Sequence, residues 1–382
     1  MSAFDFDTPP DRRGSDSLKW SKYAGRDVLP MWVADMDFVS PPAVMKALRA
    51  RVDHGVFGYG TPPASMTETL IDYLQRAYGW KIKAGWIVWL PGLVTGLNLV
   101  CRAVGKRGDD VVTATPIYPP FLTAPVNSER NKITVPMALE NGRWRWDLER
   151  AQAAITPRSR LLLLCTPHNP VGRAFDEAEL RQIADFAERN NLVVCSDEIH
   201  ADLILDPARR HLPFAALGED IARRTITLMA PSKTYNIPGL GCAFAIVSDP
   251  GLRKRLRTAM NGIVPYVNLF GYVAAEAAYR DGEPWRLALI DYLRANAQYV
   301  ARAIDAIPGL RTTPVEATYL AWIDTRELGL DNAHTFFEEA GVGLSDGADF
   351  GAPGYLRLNF GCPRATLVDA LDRIRCAVSA LA

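Results

Sequence analysis

One lysine, Lys233, stands in a polar turn with Ser232 and Thr234, between two short apolar runs at 225–229 and 242–247. Runs of that length, separated by Pro238, Gly239 and Gly241, are consistent with strands buried on both faces, which sets the amine at a strand end. An apolar setting disfavours the ammonium form, so such a lysine is a candidate Schiff-base nucleophile toward a carbonyl group. Two more polar residues follow apolar runs upstream. Residues 160–165 lead into Thr166-Pro167-His168-Asn169-Pro170, and residues 192–195 lead into Ser196-Asp197-Glu198-Ile199-His200. An amine for an aldehyde, a carboxylate to keep a pyridine nitrogen protonated and an amide to meet a phenolic oxygen are the three parts that pyridoxal 5'-phosphate requires.

The elements that must position these groups repeat as strand, loop, helix. Residues 86–90, 111–114, 132–137, 160–165 and 192–195 read as strands, the central ones without alternation, as buried parallel strands do. The polar residues just past their C-terminal ends lie where open α/β sheets bind ligands. Pro41-Pro42 predicts a helix to about 52, Ser65-x-x-Glu68 a capping box that opens a helix to 79, Asp147 a helix to 155, and Asp176 a helix to 190. The turn Pro91-Gly92-Leu93-Val94-Thr95-Gly96 precedes a helix over 97–104 and offers free backbone N–H groups to a phosphate, although tight packing accounts for its glycines equally well. The last third changes character: a long amphipathic helix at 285–307, a strand at 318–324, a helix at 333–340, a strand at 355–360 and a terminal helix from 365. That order predicts an α/β protein with a second, smaller α+β domain. The expected divisions are an N-terminal arm with part of the small domain over 1–50, a large cofactor-binding domain over 51–285 and a C-terminal small domain over 286–382.

The totals exclude several classes. Across 382 residues, Lys plus Arg and Asp plus Glu are both 43, which gives no electrostatic case for nucleic acid or an anionic membrane. No apolar run approaches membrane-spanning length, and the first 16 residues carry no apolar core of a secretion signal. Six cysteines without a Cys-x-x-Cys pair read as reduced thiols of a cytoplasmic protein, and five histidines without ligand spacing give no metal site. A small zwitterionic substrate fits this balance.

Taken together, Asn169-Pro170-x-Gly172, Asp197-Glu198 and Ser232-Lys233 resemble the class I/II aminotransferases, pyridoxal phosphate enzymes of fold type I. More narrowly, the segments 31–38, 167–170, 197–200, 232–239 and 357–364 are similar to the cystathionine and cysteine-S-conjugate β-lyase branch. The resemblance runs from about residue 18 to the C-terminus. It implies a large, mostly parallel seven-stranded sheet and a homodimer with shared active sites. It makes Lys233, Asp197 and Tyr118 catalytic, with Tyr118 stacked on the pyridine ring. It gives the phosphate to backbone N–H groups near Val94 and Thr95 and to Tyr59 of the neighbouring subunit. Arg357 would clamp the substrate carboxylate, and Ala34 and Asp35 would line the substrate side, together with Tyr59 and Asn169. Without that resemblance, Asp35 and Asp37 serve as well for turns or caps, and Tyr59, between Gly58 and Gly60, as a turn residue.

Departures from the aminotransferase pattern favour the lyase branch. Ala230 stands where those enzymes commonly have a phosphate-binding serine, Gly241 where they have an arginine, and His200 where they have a tyrosine. Ser232, Thr234 and Lys254 are the candidates to replace the missing anchors. The implied activity is β-elimination of a cysteine-derived amino acid; the alternative, transamination, uses the same residues.

Overall fold

Three buried apolar runs form the middle of one sheet, and Asn169, Asp197 and Lys233 are attached to their ends. The computed structural model describes residues 4–381. The strands are β1 (Ile87–Leu90), β2 (Asp110–Thr115), β3 (Asn131–Pro136), β4 (Ser159–Cys165), β5 (Val193–Asp197), β6 (Thr225–Met229) and β7 (Ala243–Ile246). They lie in the order β1-β7-β6-β5-β4-β2-β3, and β7 is the one strand antiparallel to its neighbours. The expected seven-stranded, mostly parallel sheet is therefore present. The register pairs Cys165 with Asp197 and Asp197 with Leu228, so β4, β5 and β6 end in one row and release their loops on the same edge.

Side-chain alternation splits the core between the two faces. Leu161, Leu163, Cys195, Ile226 and Leu228 meet the helices α3 (Leu93–Ala103) and α5 (Pro250–Met260) on one face. Leu162, Leu164 and Val194 meet α4 (Glu177–Arg189) on the other. Each such leucine contributes roughly 1.5–3 kcal/mol by leaving water. The outer helices are α1 (Pro42–Asp53), α2 (Ala64–Tyr78) and α6 (Leu269–Asp281), with α6 packed on both others. The long helix α7 (Glu283–Asp305) leads to a second, antiparallel sheet of β8 (Arg311–Thr312), β9 (Leu320–Asp324), β10 (Ser345–Asp346) and β11 (Tyr355–Asn359), in the order β8-β9-β11-β10, and α8 (Arg364–Ser379) closes the chain. The N-terminal segment Leu29–Pro30 pairs in parallel with Val342–Gly343, so both ends of the chain meet beside this second sheet.

Several expected elements differ. Ser65 and Glu68 form no capping box: α2 starts at Ala64 after an extended Pro63, and no side chain caps it. The paired prolines fix the approach, so the serine falls inside the first turn. The reciprocal box is at Asp176 and Glu179, ahead of α4. Helix α3 begins at Leu93, four residues before the expected start, because Gly96 is a packing residue. A Cβ there would sit 3.1–3.2 Å from methyls of Leu90 and Leu228. Helices α5 and α6 are absent from the sequence pattern. The first is opened by Asp249, whose side chain accepts from Leu252 N–H ahead of Pro250. The second buries small residues over much of its surface, Gly271, Ala274, Ala275, Ala277 and Ala278 among them, and so shows no clear polar stripe.

Candidate active site

A cavity of about 280 Å³ lies where the loops after β4, β5 and β6 meet the start of α3, the Val33–Ala34 segment and β11. On its wall stand Ala34, Val94, Thr95, Tyr118, Asn169, Asp197, His200, Ser232, Lys233 and Arg357. Strand parity explains part of the set: Asp197 shares a face of β5 with Cys195, two residues back, and so points to the α3 side.

Lys233 follows β6 in a tight turn, and its Nζ donates to the Ala34 carbonyl at 2.6 Å. The Tyr319 hydroxyl donates to the same oxygen at 2.9 Å. Burial lowers the amine to about 8, helped by the Arg357 cation and opposed by the Asp35 and Asp197 carboxylates. At neutral pH an appreciable fraction of Lys233 is therefore unprotonated, as a nucleophile or base requires.

Asp197 is pushed up to about 7 by burial, against the Ile199 N–H that donates to its Oδ1 at 3.1 Å; Glu198 raises it further and Lys233 lowers it. A carboxylate so short of hydrogen bonds gains by meeting a cation. His200 is lowered to about 3, chiefly by burial and then by the Lys233 and Arg357 cations, so it is a neutral imidazole. Burial also raises the Tyr118 phenol.

Arg357, on β11, points at this group from the second sheet. Its Nη1 donates to Asn169 Oδ1 at 3.1 Å, its Nη2 to the Trp32 carbonyl at 2.8 Å and to Ser345 Oγ at 3.2 Å, and its guanidinium lies 4.7 Å from the centre of the Phe350 ring. Asn169 is held in turn by its own loop. Gly172, at φ +69°, passes so close to residues 315–317 that a Cβ would lie 3.0 Å from Val315 Cγ1. Its carbonyl accepts from the N–H groups of Glu316 and Ala317, each at 2.9 Å.

The donor set fits pyridoxal phosphate. Lys233 would hold the aldehyde, Asp197 the ring nitrogen, Asn169 the phenolic oxygen and Tyr118 a ring face. The first-turn N–H groups of Leu93, Val94 and Thr95, which an α-helix leaves without internal acceptors, would hold the phosphate. His200 Nδ1 and Arg357 Nε are buried here without partners, as in a site shaped for a polar ligand. Of the candidate phosphate anchors, Ser232 is on the wall. Thr234 is buried behind it with Oγ1 unpartnered, and Lys254 is exposed on α5, away from the cavity. Gly241 sits at φ +58° with no side chain to offer.

Two expected residues are not on the wall. Asp35 lies beside the cavity but its Oδ2 is taken by Arg12 at 2.6 Å, while Asp37 pairs with Arg12 and the buried Lys19, each at 2.7 Å. The N-terminal arm thus engages both carboxylates, but Asp35 Oδ1 stays buried without a partner and the charge of Asp35 is felt at Lys233. Tyr59 is fully exposed in another cleft with Phe57 and Tyr266. Residues that the sequence reading missed include Cys165, Tyr319, Ser345 and the Trp32 carbonyl. Cys165 ends β4 and could have been found by the rule that found Asp197; Ser345 lies on the short strand β10, Tyr319 in a bend, and Trp32 contributes only backbone, so none of these had a local signal.

A strand-end lysine and aspartate on a mostly parallel sheet, facing an arginine from a second sheet, define the class: a fold type I pyridoxal phosphate enzyme. The chain belongs to the aminotransferase class I and II family, whose profile matches residues 26–374. It is 36% identical over 387 residues to cystathionine beta-lyase PatB of Bacillus subtilis (strain 168), covering 98% of this chain and 100% of that protein. The solved structure of OvoB superposes with a TM-score of 0.97 at 47% identity, covering 99% of this chain and 100% of that one. Cystalysin from Treponema denticola, whose crystal structure contains a pyridoxal 5'-phosphate cofactor, superposes with a TM-score of 0.94 at 32% identity, covering 99% and 100%. Among the described residues no helix is long and apolar enough to cross a membrane.

Proposed function

We propose that the protein is a pyridoxal phosphate-dependent carbon–sulfur β-lyase that converts cystathionine or a related cysteine S-conjugate to pyruvate, ammonia and a thiol. The observation that carries this is the convergence of a buried amine near pH 8, a carboxylate raised to about 7 and a guanidinium on one cavity. Full-length likeness to a protein named cystathionine beta-lyase supports the choice of reaction.

When bound, pyridoxal phosphate supplies an electrophilic aldehyde and a ring that accepts electrons from the substrate α-carbon. The chain's residues do the rest. Arg357 takes the substrate α-carboxylate with its planar fork, a task for which a point-charge ammonium is poorly shaped. The Lys233 amine would remove the α-proton at Nζ. Asp197, uncomfortable alone in its apolar pocket, keeps the ring nitrogen cationic. Neutral His200 and Asn169 offer hydrogen bonds without adding charge, and Tyr118 covers the ring. With the proton on Lys233, the bond from the β-carbon to sulfur breaks, sulfur leaves as a thiolate that takes a proton from the Lys233 ammonium, and water completes the release of pyruvate and ammonia.

A homodimer completes the site in this reading. Tyr59 stands fully exposed in a cleft with exposed Phe57 and Tyr266, an apolar rim suited to a second copy, and would reach the phosphate in the partner subunit's cavity. Free cysteines, five of them buried, suit a reducing, cytoplasmic setting.

The test is cystathionine with cofactor-loaded protein and no keto acid. Equal amounts of homocysteine, pyruvate and ammonia are expected. Absence of product sinks the assignment, and product formed only with an added keto acid makes the protein a transaminase.

A further inference from the structure

Next to Asp197 in sequence, but on the reverse face of β5, lies a second carboxylate for which the mechanism has no use. Glu198 has a fully buried side chain. Its Oε1 accepts from Ser196 Oγ at 2.7 Å and from Phe214 N–H at 3.0 Å, and its Oε2 lies in hydrogen-bond contact with His211 Nε2 at 2.7 Å. Three partners converge on two oxygens, the hydrogen-bond set of a carboxylate. Strand alternation puts Ser196 and Glu198 opposite Asp197, among the apolar side chains of the α4 face that include Val194 and Phe214. His211 in turn lies at the floor of a cleft on that side.

We propose that Glu198 is a positioning residue: a fixed negative charge behind the sheet that raises proton affinity in the Asp197 pocket and so strengthens the hold of Asp197 on a cationic ring nitrogen. This rests on the assignment of Asp197 above. The geometry supplies the coupling. Both carboxylates hang from consecutive residues, and Glu198 N–H donates to the Leu228 carbonyl at 2.8 Å, so the β5–β6 ladder fixes their relation. Both carboxylates are buried, which leaves the charge poorly screened by water. The same influence is visible at Asp197, where Glu198 acts to raise the carboxyl.

Other charges near His211 are already engaged. The cleft presents Arg76 and Tyr78 from α2, Asp202, Arg209 and Arg210 from the segment after β5, and Glu283 and Arg286 from α7. Tyr73 and Tyr78 donate to Asp202, Arg286 pairs with Glu283, and Arg209 pairs with Asp176. Arg76 and Arg210 are exposed to water. Among the described residues none of these reaches the Glu198 carboxylate, so Glu198 is the carboxylate that acts on Asp197 from behind.

The experiment loads the enzyme with cofactor labelled with nitrogen-15 in the ring and follows the ring-nitrogen chemical shift against pH, which reports protonation directly and not turnover. Glu198→Gln keeps an acceptor for Ser196 and Phe214 and removes the charge. At an effective dielectric of roughly 20, losing one buried charge should lower the pH at which the ring loses its proton by about one unit. Glu198→Ala removes the carboxylate altogether and should move the midpoint the same way. It also serves if Glu198→Gln does not retain cofactor. Midpoints like the parent's in whichever of the two variants holds cofactor overturn the proposal. Asp197→Asn separates the two readings: a parent-like titration there removes Asp197 from the ring nitrogen, and Glu198's role falls with it, whereas loss of the ring proton in Asp197→Asn with an unmoved Glu198→Gln refutes the Glu198 role alone.

Discussion

Arg357 joins two functions that a pair of substitutions should separate. Its fork bonds to Asn169 Oδ1, the Trp32 carbonyl and Ser345 Oγ, and its charge is the second cause, after burial, that lowers Lys233. Arg357→Lys keeps the charge and loses the fork. A hydrogen bond to a charged group contributes about 1.5–3 kcal/mol, so losing one of two bonds to the substrate carboxylate should cost about 2 kcal/mol, or roughly 30-fold in kcat/KM. Most of that should appear in KM, because the carboxylate is bound alike before and after proton removal. Arg357→Gln loses the charge as well and should cost at least tenfold more. It should also move Lys233. With the cation gone, the ammonium form is less disfavoured, so the amine rises from about 8. The assay is the rate at which the cofactor-free protein captures pyridoxal phosphate as a function of pH, since capture needs the neutral amine. The acid limb, where the rate climbs with pH, should have its midpoint near 8 in the parent and in Arg357→Lys, and at higher pH in Arg357→Gln. A KM within threefold of the parent in Arg357→Lys refutes the clamp, and an unmoved limb in Arg357→Gln refutes the electrostatic argument.

Two further outcomes follow from the same geometry. Asp197 in the cofactor-free protein is raised to about 7 from 3.8, so its contribution to stability is complete below about pH 4 and is lost as pH rises through 7. The loss is about 4 kcal/mol at most by linkage, and Asp197→Asn should remove that part of the pH dependence of thermal unfolding without cofactor; an identical profile in the variant counts against the buried, unpaired carboxylate. Gly172→Ala places a Cβ at φ +69° against Val315 and should destabilise by about 1–3 kcal/mol, with faster loss of bound cofactor on dialysis because Asn169 shares that turn. Retention and melting like the parent's show that the turn adapts.

The catalytic edge was legible because β4, β5 and β6 are buried on both faces. They read as apolar runs, and polar residues at or soon after the end of each, among them Asn169, Asp197 and Lys233, had to fall on the carboxyl rim of a parallel sheet. What lies off that rim was legible only through likeness. Arg357 arrives from a separate sheet, and Tyr59 has no contact with its own chain's cavity. Asp35 shows the limit most clearly. Its neighbours in sequence, Ala34 and Met36, are apolar, and nothing local announces that Arg12, 23 residues earlier, takes its carboxylate. The misplaced cap at Ser65 has a similar origin: a four-residue pattern is outvoted by the two prolines before it, whose fixed φ sets where the helix starts.

Glu198 is the instructive case, since the sequence displays it beside Asp197 and yet gives no reason to treat the two differently. Only the sheet does so. Alternation sends one carboxylate to the cavity, poor in donors and raised to about 7, and the other to the reverse face, where Ser196, Phe214 and His211 satisfy it. Two adjacent acids thereby acquire opposite environments, one destabilised until a cation arrives and one saturated beforehand. Exchanging the two residues would therefore not exchange their roles; it would place the longer side chain in the cavity and leave the shorter one out of reach of His211.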